Sequence, residues 1–282
     1  MRPFLLILST SLFLACTNSN SQNTFDRKNT DTEYQLILTS DVKFDKLNPA
    51  RGDQSPLAGT LWGDRNGKEA TGFLFRPVDG FQSPPHIHNV TYKGIVINGL
   101  VHNDDPKAEN MWLPSGSFWT QPKGAVHITS AKGSNTMAYI EIEEGPYLVM
   151  PTEEHFDSGE EPINVDQSNM VWLDAADIKW IDQSDAKVAF LWGEPSSTEF
   201  NGRLIKLPVN FKGKIISKSP DFRAVVIKGT PQYQTPKSEQ PTTLEEGSYF
   251  SALGHSEHQL STTDESILYV RSKGSMEIIS IK

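Results

Sequence analysis

The chain is one pattern written twice. Residues 116–130 read GSFWTQPKGAVHITS and residues 247–261 read GSYFSALGHSEHQLS; they align without a gap and set His127 against His258. LWGD (61–64) returns as LWGE (191–194). Aligning Gly99 with Gly229 sets PPHIHNVTYKGIVING (84–99) against KIISKSPDFRAVVIKG (214–229), with Ile216 and Lys218 opposite His86 and His88. A period of about 130 residues far exceeds the roughly 20–50 of solenoid repeats, so each copy is expected to be a whole small domain. Three histidines come together in the first copy, and one of them persists in the second.

From Tyr34 onward the chain is a series of short apolar runs such as YQLILT, TGFLFRP, KGIVINGLV, NTMAYIEIE and YLVMP. Each is rich in β-branched or aromatic residues and is bounded by Gly, Pro, Asn or Asp, which is the signature of strands in a sandwich or barrel. The expected class is all-β, with a first barrel over 34–152, a linker over 153–167 and a second barrel over 168–282. The acidic, turn-rich EEHFDSGEEPINVDQ reads as that linker. SNMVWLDAADIKWID (168–182) is the best candidate for a turn of helix, or for a strand opening the second domain.

The N-terminus is different in kind. One Arg precedes the uncharged, mostly apolar stretch Phe4–Ala15, followed by the chain's single cysteine, Cys16. The stretch is shorter than the roughly 20 residues that span a bilayer, and it suits a signal peptide over 1–15. The residues before Cys16 resemble the lipobox of bacterial lipoproteins, although Phe13 stands where Leu is usual. That resemblance implies lipidation of Cys16, a polar tether over 16–33, and a location in the cell envelope with the membrane as partner through the anchor. With Cys16 modified, no thiol remains for a disulfide or a nucleophile.

The net charge of −9 comes without any Lys/Arg run, which argues against nucleic acid as a partner. A small molecule is the expected ligand, and a homodimer stays open.

His86 and His88 are two apart, so on a strand both face one side and offer two imidazoles to one metal ion. A third comes from Gly116, Pro122, Gly124 and His127, spaced G-x5-P-x-G-x2-H, where Gly and Pro set a turn before His127 enters a strand. HxH followed by Gly and then by this second motif resembles the two motifs of the cupin superfamily. The resemblance covers both repeats and implies two tandem jelly-roll β-barrels, a bicupin from internal duplication. Cupins commonly carry a Glu three or four residues after the second histidine, but here those positions are Tyr92 and Lys93. A three-histidine site remains, similar to those of thiol and diketone-cleaving dioxygenases and of the zinc cupin attached to some anti-sigma factors. The resemblance thus implies a divalent ion, Zn or Fe(II), held by His86, His88 and His127, in either a dioxygenase or a non-catalytic binding or sensing protein.

Tyr92 is read as a hydrogen-bonding neighbour of a metal-bound ligand or as packing, with Phe222 at its place in repeat 2. His102 is a candidate fourth ligand or a loop-edge residue. Trp112, Phe118 and Trp119 are expected in the barrel wall or core. With Leu253 in place of the motif proline and one histidine, His258, the second barrel is expected to hold no metal.

Overall fold

A computed structural model describes residues 32–195 and 198–281. Cys16 and the rest of the segment up to residue 31 lie outside the described residues. Among those described, no helix is long and apolar enough to cross a membrane.

The chain is almost wholly antiparallel sheet. In the first repeat one sheet runs in the order Ile163–Val165, Phe118–Gln121, Tyr92–Asp104, Ile128–Glu144, Glu69–Arg76, Leu57–Trp62, Asp45–Lys46. Its two longest members bend along their length, so their far halves, paired from Leu100↔Lys132 to Asp104↔Ile128, wall the barrel mouth. The second repeat divides the same course between two sheets. One is Glu33–Ile37, Tyr249–Leu253, Asp221–Lys228, Ser266–Ser272, Asn201–Leu207, Lys187–Trp192. The other is Thr242–Thr243, Gln232–Gln234, Ser256–Ser261, Lys212–Ser217, Met276–Ser280. These are the two tandem barrels that the duplication implied.

Each repeat lends its leading strand to the other. Glu33–Ile37 pairs with Tyr249–Leu253, from Glu33↔Leu253 to Ile37↔Tyr249. Ile163–Val165, read from the sequence as linker, pairs with Phe118–Gln121. The two barrels are therefore interleaved rather than simply consecutive. The segment 168–182 forms neither a long helix nor a full strand: a short 3-10 turn, Gln167–Asn169, precedes isolated bridges at Leu173↔Val188 and Ile181↔Ile278.

The burial pattern records this arrangement. Lys212–Ser217 alternates exposed or half-buried with buried, as a strand with one wet face does. Ser266–Ser272 is buried at every position, because one face lines its own barrel and the other packs on the neighbouring barrel. Three apolar cores result, one inside each barrel and one between them. The shared core is built from matching positions of the two repeats, among them Leu74 and Leu204, Ile95 and Val225, Phe118 and Tyr249, and Tyr139 and Tyr269.

Polar contacts in that interface repeat the same symmetry. Trp62 Nε1 donates to Tyr139 Oη at 3.0 Å, and Trp192 Nε1 donates to Tyr269 Oη at 3.0 Å. Lys93 lies over the Trp192 ring at 4.1 Å while its counterpart Arg223 lies over Trp62 at 3.9 Å. Glu141 and Arg271 occupy the same position in the two copies and bond to each other at 3.2 Å, 1% and 4% exposed. Gly72 and Gly202 leave room for the indoles: a Cβ would meet Trp62 Nε1 at 2.2 Å and Trp192 Nε1 at 1.9 Å. The interface is an isologous dimer contact closed within one chain.

Candidate metal centre

The three motif histidines converge in barrel 1. His86 and His127 are cross-strand neighbours, each backbone N–H donating to the other's carbonyl at 3.0 Å. His88, two residues on, lies in the short pair Ile87–His88 with Val149–Met150. The turn that delivers His127 needs Gly124, at φ +77°, where a Cβ would meet the Phe156 carbonyl oxygen at 2.4 Å. That close approach accounts for the motif glycine.

All three imidazoles present the same nitrogen. Nδ1 of His86 donates to the Pro84 carbonyl at 2.9 Å, that of His88 to Leu148 at 2.8 Å, and that of His127 to Ala125 at 3.2 Å. With the proton on Nδ1, each Nε2 keeps its lone pair, that of His88 accepting from the Tyr147 hydroxyl at 3.1 Å. One donor nitrogen from each ring lies within 4.8 Å of the others, and the Nε2 atoms of His86 and His88 are 3.2 Å apart. Bonds of about 2.1 Å at angles of 90–109° put ligand nitrogens about 3.0–3.4 Å apart, so that pair already has coordination spacing. Two acceptor nitrogens facing each other at this distance favour a cation between them. The donor set therefore fits a divalent metal.

Burial keeps the cluster neutral. It is the main force lowering the pKa of His127 to about 3, with His86 adding and the Ala125 carbonyl opposing. His88 is held well below the usual imidazole range by burial and then by His127 and His86. His86 is lowered by burial, against the Pro84 bond, with Arg51 adding. Neutral imidazoles bind a metal at neutral pH without first losing a proton.

A polar network braces His127. Tyr92 Oη lies 3.4 Å from His127 Nε2 and donates to Asn103 Oδ1 at 2.7 Å, which also accepts from Thr129 Oγ1 at 2.7 Å. Asn103 Nδ2 donates to Gln121 Oε1 at 2.9 Å, and Gln121 Nε2 donates to the same Ala125 carbonyl that holds His127, at 3.2 Å. Tyr92 is thus tied into the site. His102, next to Asn103, faces the other way by strand alternation: its Nδ1 bonds the Met111 carbonyl at 3.2 Å, and it is outside the ligand cluster.

Tyr147 was not anticipated from the sequence. Its ring stacks on His88 at 4.3 Å and its hydroxyl lies 3.1 Å from His88 Nε2. Asn89, directly after HIH, fixes that segment by donating to the Pro146 carbonyl and accepting from Leu148 N–H, both at 2.9 Å. An Asn flanking the HxH pair was the available signal.

The site opens into a cavity of about 360 Å³. His86, His88 and Tyr147 line it together with Leu47, Phe75, Phe81, Val149 and Arg51. Trp112, Phe118 and Trp119 are not in its wall. Phe118 packs between the barrels, Trp119 fills the core of barrel 1, and Trp112 lies under Lys132 at 3.8 Å.

In barrel 2 the strand register corrects the sequence alignment. His258 pairs with Ile215, as His127 pairs with His86, so Ile215 and Ser217, not Ile216 and Lys218, occupy the ligand places. Both are buried. His258 is enclosed by Phe222, stacked at 4.2 Å, and bonded to Tyr233 Oη at 2.9 Å and Ser256 Oγ at 3.0 Å.

Two β-barrels in tandem, with a histidine cluster in one, make a fold of the bicupin type. Residues 35–279 match the family described as a domain of unknown function, DUF4437, and the chain belongs to that family. No functionally curated protein matches the sequence. Among solved structures, a Nostoc punctiforme PCC 73102 protein provisionally named a dioxygenase superposes with a TM-score of 0.64 at 15% identity, over 89% of this chain and 87% of its own. Oxalate decarboxylase of Lactobacillus farciminis superposes at 0.55 and 9% identity, over 87% and 88%. Salicylate 1,2-dioxygenase of Pseudaminobacter salicylatoxidans superposes at 0.52 and 12% identity, over 82% of each chain. At such identities the likeness is one of fold.

Proposed function

We propose that the chain is a metal-dependent oxygenase that acts on a small organic substrate in barrel 1, with barrel 2 as its structural partner. The observation that carries this reading is the convergence of one ring nitrogen from each of His86, His88 and His127 within 4.8 Å, beside a mostly apolar cavity. Iron held there supplies the redox chemistry that O₂ activation requires. The chain's own residues do the rest. The three Nδ1–H bonds orient the ligands, Asn103 and Gln121 brace His127, and the Tyr147 hydroxyl beside His88 donates a hydrogen bond to whatever oxygen atom faces it. Phe75, Phe81, Leu47 and Val149 exclude water and hold apolar substrate carbon. Among the described residues the cavity wall holds no carboxylate or lysine to serve as general base, which favours a redox reaction over hydrolysis. Two of the similar folds bear dioxygenase names, in keeping with this reading.

Elemental analysis and oxygen uptake test it. Protein purified without added metal is expected to contain about one iron per chain, and His127→Ala to lose it with at least a hundredfold fall in affinity. Tightly held zinc with no substrate-dependent O₂ consumption would establish the binding or sensing alternative instead. Metal content unchanged in His127→Ala would remove the centre altogether.

We further propose that Cys16 is acylated and tethers the protein to the cell envelope. Labelled palmitate should enter the wild type expressed in a bacterium and not Cys16→Ser; equal labelling of both ends this proposal.

A further inference from the structure

Among the described residues Arg51 is the one arginine or lysine in the wall of the metal-site cavity, and no Asp or Glu lines that space. It sits in the short 3-10 segment Pro49–Gln54, whose first turn is capped by Asn48 accepting from Ala50 N–H at 3.2 Å. Its guanidinium is held by two weak contacts, an Nη2 bond to the Gln82 carbonyl at 3.1 Å and the Phe81 face at 5.1 Å. Other nearby cations are paired: Lys46 with Asp53 at 3.0 Å and Arg65 with Asp45 at 2.6 Å. Among the described residues Arg51 has no carboxylate within ion-pair reach. Its fork has five N–H donors, and a single backbone carbonyl leaves most of them to solvent or a ligand.

The setting gives this meaning. The chain carries a net charge of −9, so its average field repels anions. The cavity reverses that sign locally, with a half-buried guanidinium beside the apolar side chains of Leu47, Pro56, Phe75, Phe81 and Val149 and the neutral polar groups of Asn48, Ser83 and Thr129. An apolar wall strengthens a charge-assisted bond by limiting competition from water, and a guanidinium meets a carboxylate through two parallel bonds. We propose that Arg51 anchors a carboxylate, and that the substrate is a compact monocarboxylate whose remaining surface is apolar. Arg51 would hold the acid group in the outer wall while the apolar body lies against Phe75 and Phe81, towards His86 and His88. This rests on barrel 1 being the reactive site, and it adds the substrate's chemical class and the residue that selects it.

Benzoate and its neutral isostere benzamide probe the idea in the metal-loaded full-length protein. Isothermal titration calorimetry should show benzoate binding at least about tenfold more tightly than benzamide. Arg51→Met should remove that preference, weakening benzoate by about tenfold or more and benzamide little, while metal content stays at the wild-type level. Arg51→Lys keeps the charge and loses the fork, and should recover only part of the preference. Equal affinities in the wild type, no benzoate binding, or an undiminished preference in Arg51→Met would each overturn the proposal. Metal content is read separately in every sample. A protein that selects benzoate through Arg51 but holds no metal would therefore defeat the oxygenase reading and not this one.

Discussion

Barrel 1 and barrel 2 follow the same course and spend it differently. Both carry a bulge before the LWG tryptophan, at Thr60/Trp62 and Phe190/Trp192, and both turn on positive-φ glycines, Gly99 and Gly229. At the mouth of barrel 1, Asn103, Gln121 and Thr129 form a polar brace behind His127. At the matching place in barrel 2, Tyr233 stands for Asn103 and Phe222 for Tyr92, and with Phe250 they wrap His258 in aromatic carbon. One barrel therefore gathers three histidines over a polar, hydrogen-bonded network, and the other has turned the same space into core. Duplication allows this division, since a second barrel fastened to the first supplies stability that a polar, open mouth cannot.

The fastening is the part of the comparison that is easiest to break. Arg271→Met leaves Glu141 buried with its charge partner gone, and is expected to cost roughly 3–5 kcal/mol in urea unfolding. Glu143 also receives Arg271, at 2.7 and 2.8 Å, but is 43% exposed, so Glu143→Gln should cost no more than about 1 kcal/mol. Combining Glu141→Gln with Arg271→Met removes both charges and should recover about half of the loss. If Arg271→Met proves no more costly than Glu143→Gln, the barrels are not joined through this pair.

The barrels, the duplication and the clustering of the three histidines were legible because each rests on a period: strands alternate, HxH shares a face, and the repeat recurs at long spacing. The same rule explains the error in barrel 2. A gapless alignment anchored on Gly99 and Gly229 slips by one residue near the ligand strand, and with a period of two a one-residue slip names the wrong face. It selected half-buried Ile216 and exposed Lys218 in place of buried Ile215 and Ser217. The exchanged leading strands were hidden for another reason. EYQLI and INV pair by backbone hydrogen bonds, and nothing in five or three residues says which sheet edge will receive them. Tyr147 and Arg51 lie in segments without a period, and are brought to the site by contacts distant in sequence, the Asn89 clamp in one case and the Gln82 carbonyl in the other.

A subtler difference between the barrels is how each histidine answers acid. Burial lowers His258 to about 3, against about 6.5 in the unfolded chain, and no metal ligation is expected to compensate it. Below pH 6.5 the unfolded state takes up a proton that the folded state refuses until about pH 3. The stability this histidine supports is thus whole above 6.5 and declines as pH falls through that window, by up to about 1.4 kcal/mol per pH unit. Replacing His258 with Gln should lower stability at neutral pH, because the Tyr233 and Ser256 bonds are disturbed, yet flatten the decline between pH 6.5 and 4.5 by close to one proton's worth. His127 is lowered to a similar value, but a bound metal competes with its proton, so saturating metal should shift the wild-type curve and leave the increment due to His258 in place. Urea titrations at stepped pH, with and without metal, separate the two. An unaltered slope in His258→Gln would mean that His258 is already charged or hydrated in the fold, and that the second mouth is less completely closed than its aromatic packing implies.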